Sequence, residues 1–425
     1  MVVTVIFFRR MWIAGALCLA LAGCASVPDT RTAAVEAEPL GYANLEIEEK
    51  KLLNVWVKWF DHADVDSNEA KETGTSEEIR EAESRFIPVH LKDTLQATGY
   101  WGAVRVVPES GLVGGEMVIS GVINRSSGRT LDLDISARDA LGKVWLKRHY
   151  SVDVVPANYR DLRPREWDAF QSVYNEIAND LAKALDDISL AESQRIREAA
   201  ELRFAAHIAP QPFEDYIDEK RNGRIEVERL PAENDPNYQR VISLKARNDM
   251  LADVLNGHYD QFYDEIWDPY TEWRRSSLKE ILALERTRQS ANAKKLGGIA
   301  AIIGAIGLEA LGGKTARNTG TVQTVMVVGG AMAVKAGIDQ SAEKEMYVSA
   351  IRELGDSFKS EIEPMVMELD GETIELTGSA DAQFARWREL LRDRYDTERG
   401  LVSNSETDPS QFEDPAEADA PVSID

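Results

Sequence analysis

Of the residues that could carry chemistry, the five histidines come first: His62, His90, His149, His207 and His258. No two stand at a spacing that turns both toward one metal from a helix, and His-Glu-x-x-His is absent. A zinc hydrolase is therefore not indicated, and His149 reads as a structural or surface residue on a strand. Gly-x-Ser-x-Gly, the nucleophile elbow, is absent as well. Gly307-Leu308-Glu309-Ala310-Leu311-Gly312-Gly313-Lys314-Thr315 approaches a phosphate-binding loop. That loop needs four residues between its first glycine and the glycine before lysine, and a strand ahead of it. Here five intervene and a Gly/Ala-rich helical run precedes, so the segment reads as a helix stop and a polar turn, with no nucleotide site. Asp64-Val65-Asp66-Ser67-Asn68 opens like a calcium loop, but Glu69 stands where the turn glycine belongs and Thr75 where the bidentate glutamate belongs. It reads as a solvated acidic loop. Acidic side chains are so numerous, 73 in all, that any pair could be posed as acid and base. No residue is assigned to catalysis, a cofactor or a metal.

The elements that would position any site must come from 425 residues, enough for two or three domains of ~150 residues. Apolar residues at 44% and aromatics at 8% exclude wholesale disorder. Against 73 acids stand 49 Lys and Arg, giving −24. That balance argues against nucleic acid as the main partner, since phosphate binding needs clustered cations. Two cysteines exclude a disulfide framework and a multi-cysteine metal site.

Arg9 and Arg10 precede an apolar run, Met11 to Leu21, that closes on Leu21-Ala22-Gly23-Cys24. A short apolar core behind a positive flank reads as a secretory signal and not a spanning helix. Leu-Ala-Gly-Cys resembles the lipobox of bacterial lipoproteins. The resemblance implies removal of residues 1–23 and acylation of Cys24 as the new first residue. Ala25, which is not Asp, implies sorting to the periplasmic face of the outer membrane. Several acyl chains anchor stably, at ~0.8 kcal/mol per buried CH₂. Loss of two arginines leaves 47 − 73 = −26 on the mature chain. Cys18 would be removed and Cys24 acylated, so no free thiol would remain, which suits an oxidising compartment.

Residues 24–49 are expected to be the lipidated cysteine and a tether, with structure beginning near Leu52. Leu53, Val55, Val57 and Trp59 mark a strand. A helix running to Gly99 is expected to restart at Pro88. Ala103–Val107 reads as a second strand. Met117–Ile123, Leu131–Arg138 and Val144–Val154 form an antiparallel meander, because Leu131, Leu133, Ile135 and Ala137 alternate with polar residues. Trp167, Phe170, Tyr174, Ile177, Leu181 and Leu185 recur at helical spacing. This β-α-β-β-β-β-α order over 50–187 resembles the small α/β domain of periplasmic lipoproteins and their relatives, the TolB amino-terminal domain, CsgG and LpoB. The carrying residues are Gly99-Tyr100-Trp101-Gly102-Ala103-Val104-Arg105-Val106-Val107, Val118–Ile123 and the two strands that follow. The resemblance implies binding to envelope proteins and not catalysis.

Residues 188–295 read as helical, with a stop at Asn256-Gly257. Tyr259, Phe262, Tyr263, Trp267, Tyr270 and Trp273 then form an aromatic stripe, bent at Pro269. The stripe reads as core or, since Trp and Tyr favour interfaces, as a candidate partner groove. Leu296–Leu308 and Val325–Val334 are uncharged runs of thirteen and ten residues, too short to span a bilayer. Small residues four apart (Gly297, Ala301 and Ala305; Ala300 and Gly304; Gly329 and Ala333) suit tight helix packing, so 296–340 reads as a Gly/Ala-rich helical hairpin. Over 341–403 a helix, a β-hairpin turning at Asp370-Gly371 and a last helix are expected. The tail 404–425 has seven acids and no base, and reads as disordered.

The expectation is an α+β chain, an α/β domain followed by a mainly helical one. Its expected role is that of a lipid-anchored, non-catalytic binding or scaffold subunit of a secretion, transport or cell-wall assembly, with envelope proteins as partners. One alternative is a membrane-inserting homo-oligomer using the Gly-rich hairpin. Another is a periplasmic hydrolase with a site built from scattered residues.

Overall fold

The computed structural model describes residues 35–43, 47–232, 234–309, 344–358, 364–369 and 371–398; over 288–309 it describes the course of a helix without its side chains. The chain is mixed α+β. Val55–Lys58 (β1) and Asp61–His62 (β2) precede helices Ser67–Thr73 (α1) and Glu77–Thr98 (α2). Val104–Val107 (β3), Met117–Ser126 (β4), Thr130–Asp139 (β5) and Val144–Asp153 (β6) follow. One sheet takes the order β3-β1-β4-β5-β6, with β2 beside β4. β1 is parallel to β3 and β4, while β4, β5 and β6 make an antiparallel meander.

The alternation read in β5 sets its two faces. Leu131, Leu133, Ile135 and Ala137 are buried under α2 and Gln171–Asp186 (α3), whereas Asp134 and Arg138 lie on the open face. Trp167 does not join α3. It sits in a tight turn ahead of that helix, paired with Arg163, and is 39% exposed. α2 does not restart at Pro88 but runs straight through it. Proline removes one N–H and so leaves the carbonyl four residues back without its helical donor. That carbonyl, Ser84 O, accepts from Phe60 N at 3.0 Å, so the link between β1 and β2 replaces the missing bond.

Leu190–Ile208 (α4) leads to a small hairpin, Ile217–Glu219 (β7) and Ile225–Val227 (β8), which the sequence did not announce. Pro236–Glu309 (α5) is one helix of 74 residues, about 110 Å long at 1.5 Å per residue. The stop expected at Asn256-Gly257 does not occur. A glycine inside a helix costs only ~1 kcal/mol, and Asn256 has a tertiary task there. Its Oδ1 accepts from Val106 N at 2.8 Å and its Nδ2 donates to Val106 O at 3.0 Å. β3 is an edge strand, and this amide satisfies edge groups that a neighbouring strand would otherwise pair.

Residues 344–358 form helix α6. Met365–Leu369 (β9) and Glu372–Leu376 (β10) pair as expected, with Gly371 at φ 84° in the turn, and Ala380–Glu398 (α7) ends the described chain. The α/β elements and the helices share one continuous hydrophobic core. The first arm of the Gly/Ala-rich region continues α5 as helix, through Gly297, Ala301, Gly304 and Ala305, up to Glu309. Its second arm, with Gly329 and Ala333, lies outside the described residues, as do Cys24 and the acidic tail.

Candidate functional site

The aromatic stripe of α5 is not a free partner groove. Tyr259, Phe262, Tyr263, Trp267, Tyr270 and Trp273 are each at most 5% exposed. They are spent on seams with other helices: Phe86 of α2 stacks on Tyr263 with centroids 4.5 Å apart and meets Tyr270 edge-on at 4.7 Å, and Phe358 of α6 meets Phe262 at 4.6 Å and Tyr259 at 5.5 Å. Burial of such rings contributes large apolar area plus ~0.5–1.5 kcal/mol per ring pair, and it leaves none of the stripe's rings to a partner. Helical spacing alone gives the stripe, and whether α2 and α6 already cover it is a matter of tertiary structure.

Behind the stripe lies a buried polar network. Arg274 of α5 grips Asp168 through two bonds, 3.0 and 2.6 Å, with both side chains at most 1% exposed. Its guanidinium lies 4.3 Å over the Tyr270 ring. Burial by itself would raise the Asp168 carboxyl, but Arg274 beside it, with His90 and Phe170 N, brings it below its ordinary value. Glu83 accepts from Ser126 Oγ at 2.6 Å and Tyr270 Oη at 2.7 Å.

His90 is fully buried between three helices. Its Nε2 lies 2.9 Å from Gln171 Oε1 and its Nδ1 2.7 Å from Tyr263 Oη. Gln171 Oε1 can only accept, so Nε2 carries the proton and Nδ1 accepts from the tyrosine. Burial lowers the His90 pKa, against the opposing pull of Asp168 and Gln171. His207 is lowered to about 4, by burial and by Arg388 and Arg392. Both folded values lie below the unfolded one near 6.5, so the unfolded chain takes up protons first. Stability is full above pH ~6.5 and is lost as pH falls through the window beneath it. The melting temperature should decline from pH 7 to pH 5, and the double variant His90→Gln, His207→Gln should flatten that slope. An unchanged slope would remove both histidines as its cause.

The open face of the sheet holds a hollow of about 450 Å³ bordered by Asp61, Ser120, Val122, Asp134, Lys147 and His149. His149 Nδ1 donates to Asp134 at 2.9 Å and Asn124 donates to the other carboxylate oxygen at 2.8 Å. Those bonds hold Asp134 below its ordinary pKa. Asp134 and His149 are each 55% exposed, so water competes for the pair. The surface offers charges and hydrogen-bonding groups to a polar partner, and no nucleophile stands within bonding distance of His149 among the described residues.

The acidic stretch at 64–68 is a helix start. Asp66 accepts from Asn68 N and Glu69 N at the head of α1, and Thr75 is buried with its hydroxyl on Ser126 O. Among the described residues no group of three or more His, Cys, Asp or Glu could hold a metal ion, and no helix is long and apolar enough to cross a membrane.

The expected tether 24–49 is free over less of its length than its composition implies. Residues 35–43 lie against the body, held by Asn158, Asn175 and Asn179. Asn175 and Asn179, four apart on the flank of the apolar stripe of α3, are the signal in the sequence that could have marked this seat. Asn175 Oδ1 accepts from Gln171 Nε2 at 3.0 Å. A chain of hydrogen bonds therefore runs from Glu38 O through Asn175, Gln171 and His90 to Tyr263 on α5. Comparisons with models of protein families, with curated proteins and with solved structures give no match for this chain.

Proposed function

We propose that the chain is a lipid-anchored, non-catalytic binding or scaffold subunit of a cell-envelope assembly, held on the periplasmic face of the outer membrane through Cys24. The observation that carries this reading is the seat of residues 35–43 on the body. Val35 is fixed by Asn158 only eleven residues after Cys24. An extended chain spans at most ~3.6 Å per residue, so the body stands within about 40 Å of its anchor. The mixed sheet, covered on one face and open on the other, supports the reading of 50–187 as the β-α-β-β-β-β-α binding domain of TolB-, CsgG- and LpoB-like proteins. Envelope proteins are the partners that reading names.

The mature protein should carry acyl chains on Cys24, seen as added intact mass, and Cys24→Ser should abolish both the added mass and sedimentation with membranes. An unmodified thiol at Cys24 in the wild-type protein ends the proposal. A second reading has its own support. α5 continues without a break into the uncharged run Leu296–Leu308, which suits a segment that self-associates or enters lipid. Deleting 296–338 should leave membrane attachment intact under the first reading and weaken it, or dissolve an oligomer, under the second.

A further inference from the structure

The seat of residues 35–43 recognises main chain. Asn158 accepts from Val35 N at 3.0 Å and donates to Val35 O at 2.9 Å. Asn179 accepts from Gly41 N at 2.8 Å and donates to Pro39 O at 2.9 Å, while Asn175 donates to Glu38 O at 2.7 Å. Beyond them Ala43 N donates to Thr98 O at 2.9 Å. Three asparagine amides thus read an extended backbone from one side, much as an added strand is read by a sheet edge.

Two features set this segment apart from the core. None of residues 35–43 is buried, so the hydrogen bonds and the partial packing of Leu40 are what hold it. Hydrogen bonds exchanged with water stabilise by amounts comparable to the entropy cost of ordering the residues that make them. A segment with few buried apolar contacts opens locally at low cost. The segment also underfills its seat. A hollow of about 380 Å³ remains between Ala37–Tyr42 and the wall formed by Thr94, Gln171, Asn175, Arg163 and Trp167. Its floor is hydrogen-bonding and its rim includes a half-exposed tryptophan.

We propose that the groove lined by Asn158, Asn175 and Asn179 is a peptide-recognition site, that residues 35–43 occupy it in cis, and that an extended segment of a partner protein takes their place. The partner segment fits if it presents free main-chain groups at the same spacing and a small residue opposite Asn179, since a Cβ at Gly41 would lie 3.1 Å from Asn179 Oδ1. Side chains larger than those of Ala37 and Pro39 would fill the hollow. Displacement also lengthens the leash, a consequence that rests on anchoring at Cys24. Among the described residues past Ala43, the next held element is the short helix Glu49–Lys51, packed on α4 and beginning 25 residues after Cys24. Maximum reach to it rises from about 40 to about 90 Å.

The test uses the synthetic peptide Val35–Ala43 and the full chain with residues 35–43 deleted, which removes the main-chain groups the groove reads. The peptide should bind the deleted chain saturably. Adding Asn175→Leu and Asn179→Leu should weaken binding at least tenfold. No binding at millimolar peptide by a deleted chain that melts like wild type would overturn the proposal, as would binding that survives both leucines. Should the deleted chain misfold, hydrogen exchange on the wild-type chain decides. Val35 and Gly41 amides should exchange at least 100-fold faster than those of β5, and faster again with excess peptide; exchange as slow as β5 overturns it. Intact mass at Cys24 reports the anchor separately, so loss of the anchor and loss of the groove give different results.

Discussion

Arg274→Leu should destabilise the protein by about 3–5 kcal/mol, the cost of leaving a buried charge without its partner. The charge left behind is Asp168, which is fully buried and whose only cationic hydrogen-bond partner among the described residues is Arg274. At ~2–4 °C per kcal/mol the melting temperature should fall by roughly 10 °C. The loss should shrink in acid. With Arg274 present the Asp168 pKa is depressed, so the pair's stabilisation is full above the unfolded value near 3.8 and fades as pH drops below it. Without Arg274, burial favours the protonated carboxyl, and acid then supplies the proton the site needs. The double variant Asp168→Leu, Arg274→Leu removes both charges and should recover much of the loss, because apolar replacement of a buried pair is often near neutral. Urea denaturation of the three variants checks this. Equal losses in the single and double variants would show that the pair is not what the site depends on.

Gly128→Ala should cost roughly 3 kcal/mol, the upper end for overpacking. The β4–β5 turn meets the backbone of α5 at this point. A Cβ on residue 128 would fall onto Arg274 O and stand 2.6 Å from Leu278 N. Both obstacles are main chain and cannot rotate away, so α5 itself would have to lift. Arg274 is one of those contact residues, hence lifting would also disturb its grip on Asp168. Gly257→Ala is the control: nothing lies within 4 Å of a Cβ there, and replacing a helical glycine should stabilise slightly. Melting curves of the two variants should move in opposite directions. A neutral Gly128→Ala would mean that α5 does not sit on this turn in solution.

Elements whose periodicity is local are legible in the amino-acid sequence. The alternation from Leu131 to Arg138 gave β5 its buried and open faces, Asp-Gly at 370–371 gave the β9–β10 hairpin, and Phe384, Trp387, Leu391 and Tyr395 gave the buried stripe of α7. In each case the signal and the outcome sit within one element, and water versus core is the only choice to make. Local signals fail at positions where a group far away in the chain supplies the deciding contact. Pro88 stays in α2 because Phe60 bonds the carbonyl it orphans. Asn256-Gly257 stays in α5 because the Asn256 amide completes the edge of β3. The aromatic stripe became a seam because Phe86 and Phe358 lie against it. Residues 35–43, polar and proline-containing, read as tether, yet three asparagines more than a hundred positions away hold them down. Local propensities amount to about 1 kcal/mol or less per residue, proline apart, and one or two well-placed hydrogen bonds are enough to reverse them.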